Sequence, residues 1–271
     1  MKAAAQVLLT ILFVILFFVG LITASFKFQL LNYNFWNATF QKHNVYQNLA
    51  VVSKEAFEQQ ISKEGGNKND VKILTDLITQ ENVKETVERN LKNILSFANG
   101  EVSQMNVYLP IDKVPKNLLS KSIAGLKTEM TLQELLTKFN YQDLEYLNLE
   151  DVATTGQFMF YLFIGVSIFL LLILILLTLL VKSGARFVAI GTTFILSGGL
   201  TLFAVSAVVG INTVVSTELI NNTSIAAVIA GTMIPPIITE VFYLWQIIGF
   251  IMLPLGVALF FIKKPKYNNP K

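Results

Sequence analysis

The chain has no cysteine, one histidine (His43) and two arginines (Arg89 and Arg186). The lack of cysteine excludes a disulfide scaffold, a Cys/His zinc site and a thiol nucleophile, and it leaves His43 as the sole histidine base. Charge is scarce too. Asp, Glu, Lys and Arg make up 14% of the 271 residues, where soluble domains carry about 25%. An ordinary cytoplasmic protein is excluded on that ground. No Walker loop and no dinucleotide fingerprint is present, so nucleotide chemistry has no anchor. No cofactor, no metal and no nucleic-acid partner is expected.

What is abundant is apolar sequence, 53% of the residues, with a mean hydropathy of +0.57. A helix needs about 20 consecutive apolar residues to cross the hydrocarbon core. Four stretches meet that length: 3–24, 156–181, 187–211 and 241–262. None contains Asp, Glu, Lys, Arg or His. Backbone at that depth must pair its own polar groups, so helices are expected. Residues 3–24 are read as an uncleaved signal anchor, because the apolar run is longer than the roughly 7–15 residues of a signal peptide. Cleavage near Ala24 or Ser25 is the alternative.

The short connections set the orientation. With the N-terminus inside, the cytoplasmic pieces carry Lys2, Lys182, Arg186, Lys263, Lys264, Lys266 and Lys271 and no acid. The loop 212–240 carries Glu218 and Glu240 and no base. That asymmetry follows the positive-inside rule. It places both termini, including the basic tail 263–271, in the cytoplasm and residues 25–155 outside. The 14 basic and 16 acidic residues of 25–155 do not vote, because long segments cross largely regardless of charge. Trp36, Trp245, Phe242, Tyr243, Phe158 and Tyr161 fall near the expected outer interface, where amphipathic rings gather. The apolar stretch 224–238 is only 15 residues long and holds Pro235-Pro236. It reads as a re-entrant or surface-lying segment within the outer loop.

Residues 25–155 are long enough to bury a core of their own, and their periodicity is mostly helical. Val45, Leu49, Val52, Ala56, Phe57, Gln60 and Ile61 share one face, and Gly65 to Asn69 then breaks the chain. Thr79 is a candidate N-cap, with Ile78 and Val83 spaced as a hydrophobic staple. Val83, Val87, Leu91, Ile94, Leu95 and Ala98 continue one face up to a stop at Gly100. Met105, Val107, Leu109 and Ile111 alternate as in a short extended piece. Asp112 is placed to cap a helix through about Ala124. Thr131-Leu132-Gln133-Glu134 has capping-box spacing. The fold class expected is therefore an all-α membrane protein: four transmembrane helices with a mainly helical extracytoplasmic domain between helices 1 and 2.

Candidate sites are thin. His43 beside Asn44 assembles no triad, and a core or surface role fits it better. Asp143, Glu145, Glu150 and Asp151 cluster before the second span without EF-hand spacing. Gln246 is read as a hydrogen-bonding group between helices, and Pro254 as a kink. In the third span Ala185, Ala189, Thr193, Ser197 and Thr201 recur every four residues, and Gly184, Gly191 and Gly198 every seven. Small residues on one ridge let helices approach closely in lipid. The ridge serves either the chain's own bundle or a homo-oligomer or protein partner. The rings of Phe26, Phe28, Tyr33, Phe35, Trp36, Phe40 and Tyr46 suit a surface anchor or core packing. The sequons at Asn37, Asn221 and Asn222 are read as chance occurrences.

The run Phe35-Trp36-Asn37-Ala38-Thr39-Phe40 with Asn44-Val45-Tyr46, then Ile78 to Val83, then Asn99-Gly100, resembles uncharacterised bacterial four-span membrane proteins with a large outer first loop. That resemblance implies no activity and no site residues. The topology is also similar to that of claudin-like proteins, whose paired-cysteine signature is missing here. The function expected is non-enzymatic: the outer domain binds a partner or scaffolds a cell-envelope complex. A channel or transporter built on the third span and 224–238 is the alternative, and an outward-facing carboxylate hydrolase the third.

Overall fold

The computed structural model describes residues 2–63, 72–73, 75–115, 126–139, 149–181, 185–220 and 225–262. It is mostly helical, and four helices are long and apolar enough to cross a membrane. The chain divides into two compact units. One comprises residues 1–26, 159–211 and 238–271, and the other residues 27–158 and 212–237.

The first unit is built from the greater part of the long apolar helices. α1 runs Lys2–Ser25, α6 Leu149–Leu180, α7 Arg186–Ile220 and α8 Ile225–Phe261. Their cores inside this unit are two clusters. Phe13, Ile173 and Leu177 form one, packed by Phe17, Phe194 and Met252. Leu21, Val205 and Trp245 form the other. The remaining surface is rich in exposed Leu, Ile, Val and Phe, such as Leu8, Phe169, Leu179, Phe203 and Phe261. That pattern suits contact with lipid tails.

Most of the small-residue ridge of α7 packs inside this unit, while Ala185 is exposed. Ala189, Thr193, Ser197 and Thr201 are buried. A Cβ on Gly191 would lie 2.6 Å from the Gly256 carbonyl oxygen, and one on Gly256 2.7 Å from that of Gly191. Gly198 and Gly249 repeat the relation one step along, at 3.1 and 3.2 Å. The α7 and α8 backbones touch at these glycines, as small residues permit in lipid. Thr193 Oγ1 lies 3.3 Å from Thr10 Oγ1 of α1 and also donates to Ala189 O.

Two sequence expectations are corrected here. Residues 212–220 and 225–240 are helix rather than loop: α7 continues to Ile220 and α8 begins at Ile225. The stretch 224–238 is not a separate re-entrant element, because Pro235-Pro236 lies within the unbroken α8. Adjacent prolines remove two intrahelical donors, a loss that membrane helices tolerate when neighbouring groups supply partners. Asn212 of α7 meets this stretch, its Nδ2 donating to Pro235 O at 3.2 Å. At about 1.5 Å per residue, the 35 residues of α7 and 37 of α8 exceed the roughly 30 Å core of a bilayer.

The second unit carries the shorter elements. A π-turn at Phe26–Leu30 leads to α2 (Tyr33–Lys42), α3 (Val45–Lys63) and α4 (Gln80–Ala98). β1 (Asn106–Tyr108) pairs antiparallel with β2 (Glu129–Thr131), with Val107 opposite Met130. α5 (Leu132–Lys138) follows. The caps are those expected. Asn82 N–H donates to Thr79 Oγ1, and Thr131 with Glu134 forms the complete capping box. Gly100 stands at φ 72° after α4, in the left-handed region that glycine enters freely. Asp112, by contrast, caps no helix. It sits in a single 3-10 turn, Ile111–Lys113, which ends at an extended Val114.

The core of this unit gathers Phe40, Val45, Tyr46, Leu49, Leu91, Leu95, Tyr108 and Met130. Asn44, at φ 53°, turns the corner between α2 and α3. Asparagine is among the few residues that enter that region readily.

Candidate functional site

Among the described residues of the unit of 27–158 and 212–237, several groupings carry polar chemistry or open space. The first surrounds Tyr46. Its hydroxyl lies 3.3 Å from Glu88 Oε1 and 3.2 Å from Asn37 Oδ1, and its ring stacks edge-on against Phe40, which meets Trp36 the same way. Burial pushes the Tyr46 phenol far up, and the charge of Glu88 adds to this. Tyr33 is raised for the same two reasons. Trp36 Nε1 donates to Leu30 O at 2.7 Å. Phe40 and Tyr46 of the aromatic run 26–46 are thus packed inside the unit, while Phe26 and Phe28 stay exposed.

The second grouping is centred on Glu85. Lys113 donates to its carboxylate and also to Asn82 Oδ1. Arg89 forms an ion pair with it at 2.9 Å while its guanidinium lies 4.4 Å from the Tyr108 ring centroid. The Lys113 hydrogen bond comes first among the causes that hold Glu85 below the usual carboxylate range, and the same bond raises Lys113. Asn90 closes the set by receiving Tyr108 N–H and donating to Tyr108 O, at 2.7 and 2.9 Å. That bidentate clasp binds α4 to β1.

The third grouping is a groove of about 310 Å³. Leu49 of α3, Leu77, Val83 and Val87 around α4, and Ile229 and Met233 of α8 line it. The sequence signals for Leu49, Ile78, Val83 and Val87 were legible as helix faces. The opposite wall was not, because Ile229 and Met233 lie in the stretch read as re-entrant.

Asn99 ties the ends of this unit. Its Nδ2 donates to Leu31 O, and its Oδ1 receives Lys27 Nζ, at 3.0 and 3.1 Å. A Cβ on Gly156 would lie 2.8 Å from Asn99 Cα. α4, the turn after α1 and the start of α6 therefore meet at one asparagine.

His43 is the residue after α2, its backbone N–H donating to Thr39 O. Asp143 and Glu145 lie outside the described residues, as do the side chain of Glu150, the break at 65–69, the sequons at 221 and 222, and the tail 263–271. Among the described residues no group of three His, Asp or Glu side chains is placed to hold a metal ion. Trp245, expected at an interface, is buried and donates to Ser25 Oγ at 2.8 Å. No family model, no curated protein and no solved structure matches the chain.

Proposed function

We propose that the chain is a bacterial-type membrane protein with both termini cytoplasmic, and that residues 25–155 form an extracytoplasmic module. The module binds a protein partner or scaffolds a cell-envelope complex without catalysing a reaction. The observation that supports this most is the cross-tying of residues 27–158 through Asn99, Asn90 and Glu85. Membrane anchoring alone requires no such body, whereas a presented binding surface requires a rigid one. The positive-inside pattern supports the orientation.

Photo-crosslinking tests the binding role. A crosslinker at the exposed Val102 of the full-length chain in intact cells is expected to give one discrete protein adduct. A ladder of unrelated adducts equal to that from a crosslinker at the lipid-facing Leu179 contradicts it.

A channel or transporter is the second reading, favoured by one observation. Ser197 Oγ is fully buried within the α7 ridge and has no hydrogen-bond partner among the described atoms. Ion flux in vesicles that is lost on Ser197→Leu supports this reading. Flux equal to that of empty vesicles removes it.

A further inference from the structure

Asn99-Gly100 is the one Asn-Gly pair in the 271 residues, and it stands where α4 ends. An asparagine followed by glycine is open to self-attack, because glycine lacks the Cβ that shields its nitrogen and stiffens the chain. In that reaction the Gly100 nitrogen bonds to Asn99 Cγ and loses its proton. The Cγ–Nδ2 bond breaks, and ammonia departs with that proton. Water then opens the five-membered imide at either carbonyl, which leaves aspartate or isoaspartate. Water is the sole co-reactant.

The folded chain opposes each part of this step. Asn99 sits at ψ −4°, so the Gly100 nitrogen eclipses the Asn99 nitrogen, whereas ring closure requires it to swing over Cβ. Gly100 N–H donates to Phe97 O at 2.9 Å, and Gly100 is held at φ 72°. The amide of Asn99 is fixed at both ends, Nδ2 donating to Leu31 O at 3.0 Å and Oδ1 receiving Lys27 Nζ at 3.1 Å. The α6 backbone closes the remaining side. A Cβ on Gly156 would lie 2.7 Å from Asn99 Oδ1 and 2.8 Å from its Cα. The ring can form only when the end of α4 leaves these contacts.

We propose that Asn99 is a deamidation site held in check by this junction, so that opening of the junction is recorded as an irreversible change of residue 99. Either product hinders reclosure. Aspartate has no donor for Leu31 O and sets a carboxylate oxygen against it. Isoaspartate lengthens the main chain by one carbon where Gly156 leaves no room. The site depends neither on the orientation of the chain nor on the partner-binding role proposed above.

The experiment follows residue 99 by peptide mass mapping in the full-length protein, kept in detergent micelles at mildly alkaline pH. A synthetic peptide of residues 95–104 supplies the unrestrained rate. Conversion in the folded protein is expected to be slower than in the peptide by about tenfold or more, because it waits on local opening. Lys27→Met removes a hydrogen bond from a charged group and raises the protein's rate about tenfold. Gly156→Ala, which presses on Asn99, raises it as well. Gly256→Val destabilises the contact between α7 and α8 instead and leaves the rate unchanged. Asn99→Asp melts below the wild type. A folded protein that converts at the peptide's rate overturns the proposal, as does a rate unmoved by both Lys27→Met and Gly156→Ala. So does a Gly256→Val rate as high as that of Lys27→Met, which would make conversion follow global unfolding, or an Asn99→Asp chain that melts with the wild type.

Discussion

Gly156 stands so close to Asn99 that a methyl group in place of its hydrogen would lie 2.8 Å from the asparagine's Cα and 2.9 Å from Ala98 O. Both obstacles are backbone or backbone-attached, so neither swings aside. Gly156→Ala is therefore expected to destabilise the protein by about 1–3 kcal/mol, the usual cost of overpacking. Gly165 lies on the same helix with nothing within 4 Å of an added Cβ. Gly165→Ala is expected to be neutral or stabilising, by up to about 1 kcal/mol of helix propensity. Thermal unfolding in detergent distinguishes the two, and equal midpoints contradict the close approach.

The glycines between α7 and α8 make a parallel prediction. Gly256→Val would drive side-chain carbon into the Gly191 carbonyl and the Ile195 backbone, with a loss of about 1–3 kcal/mol or more. Ser197→Ala removes a buried hydroxyl that has no partner among the described atoms. It should leave stability unchanged or raise it, since an unpaired buried hydroxyl is itself a cost. Thr193→Val removes the link to Thr10, and interhelical bonds of this kind average about 0.6 kcal/mol in membranes. The order Ser197→Ala, Thr193→Val, Gly256→Val in falling melting temperature is the expected outcome.

The ion-pair cluster predicts acid sensitivity. Glu85 has its pKa lowered in the folded protein, first by the Lys113 hydrogen bond. Its contribution to stability is present above the unfolded value, about 4.3, and is lost as the pH falls through the lower folded value. Glu134, lowered by the Thr131 backbone, behaves in the same sense. Unfolding followed below pH 5 should show the wild type losing stability faster than Glu85→Gln. Parallel curves would contradict the pairing.

The tyrosines predict the opposite limb. Tyr46 and Tyr33 are raised in the folded state by burial and then by Glu88. Their contribution is present below the unfolded value, about 10, and is lost as the pH rises through the folded ones. Glu88→Gln removes the adjacent charge, so tyrosinate absorbance near 295 nm should then develop at lower pH. A titration unmoved by that substitution contradicts the contact.

Legibility in the sequence followed the range of the interaction. The four spans rest on apolar run length, and the caps at Thr79 and Thr131 on three-residue spacings, so both were visible locally. The left-handed Gly100 was visible for the same reason. Asn99 meeting Lys27, Leu31 and Gly156 joins positions far apart in sequence and leaves no periodic trace. The helical character of 225–240 was hidden by Pro235-Pro236, a pair that usually ends a helix and here lies within α8. Asp112 misled because a residue type that favours capping does not by itself start a helix; it lies inside the 3-10 turn, and Val114 is extended after it. The candidate groove was half legible, since its α3 and α4 wall follows helical spacing and its α8 wall depends on that misread stretch.

Thiol labelling of a chain without native cysteine tests the central claim most directly. Single cysteines at Lys92, Ser183 and Asn268 are treated in intact cells with a membrane-impermeant maleimide, and again after the cells are opened. Labelling of Lys92→Cys in intact cells, with Ser183→Cys and Asn268→Cys reacting only after lysis, is the predicted result. Labelling of Asn268→Cys in intact cells, or protection of Lys92→Cys, would contradict a four-span chain that displays residues 25–155 outside.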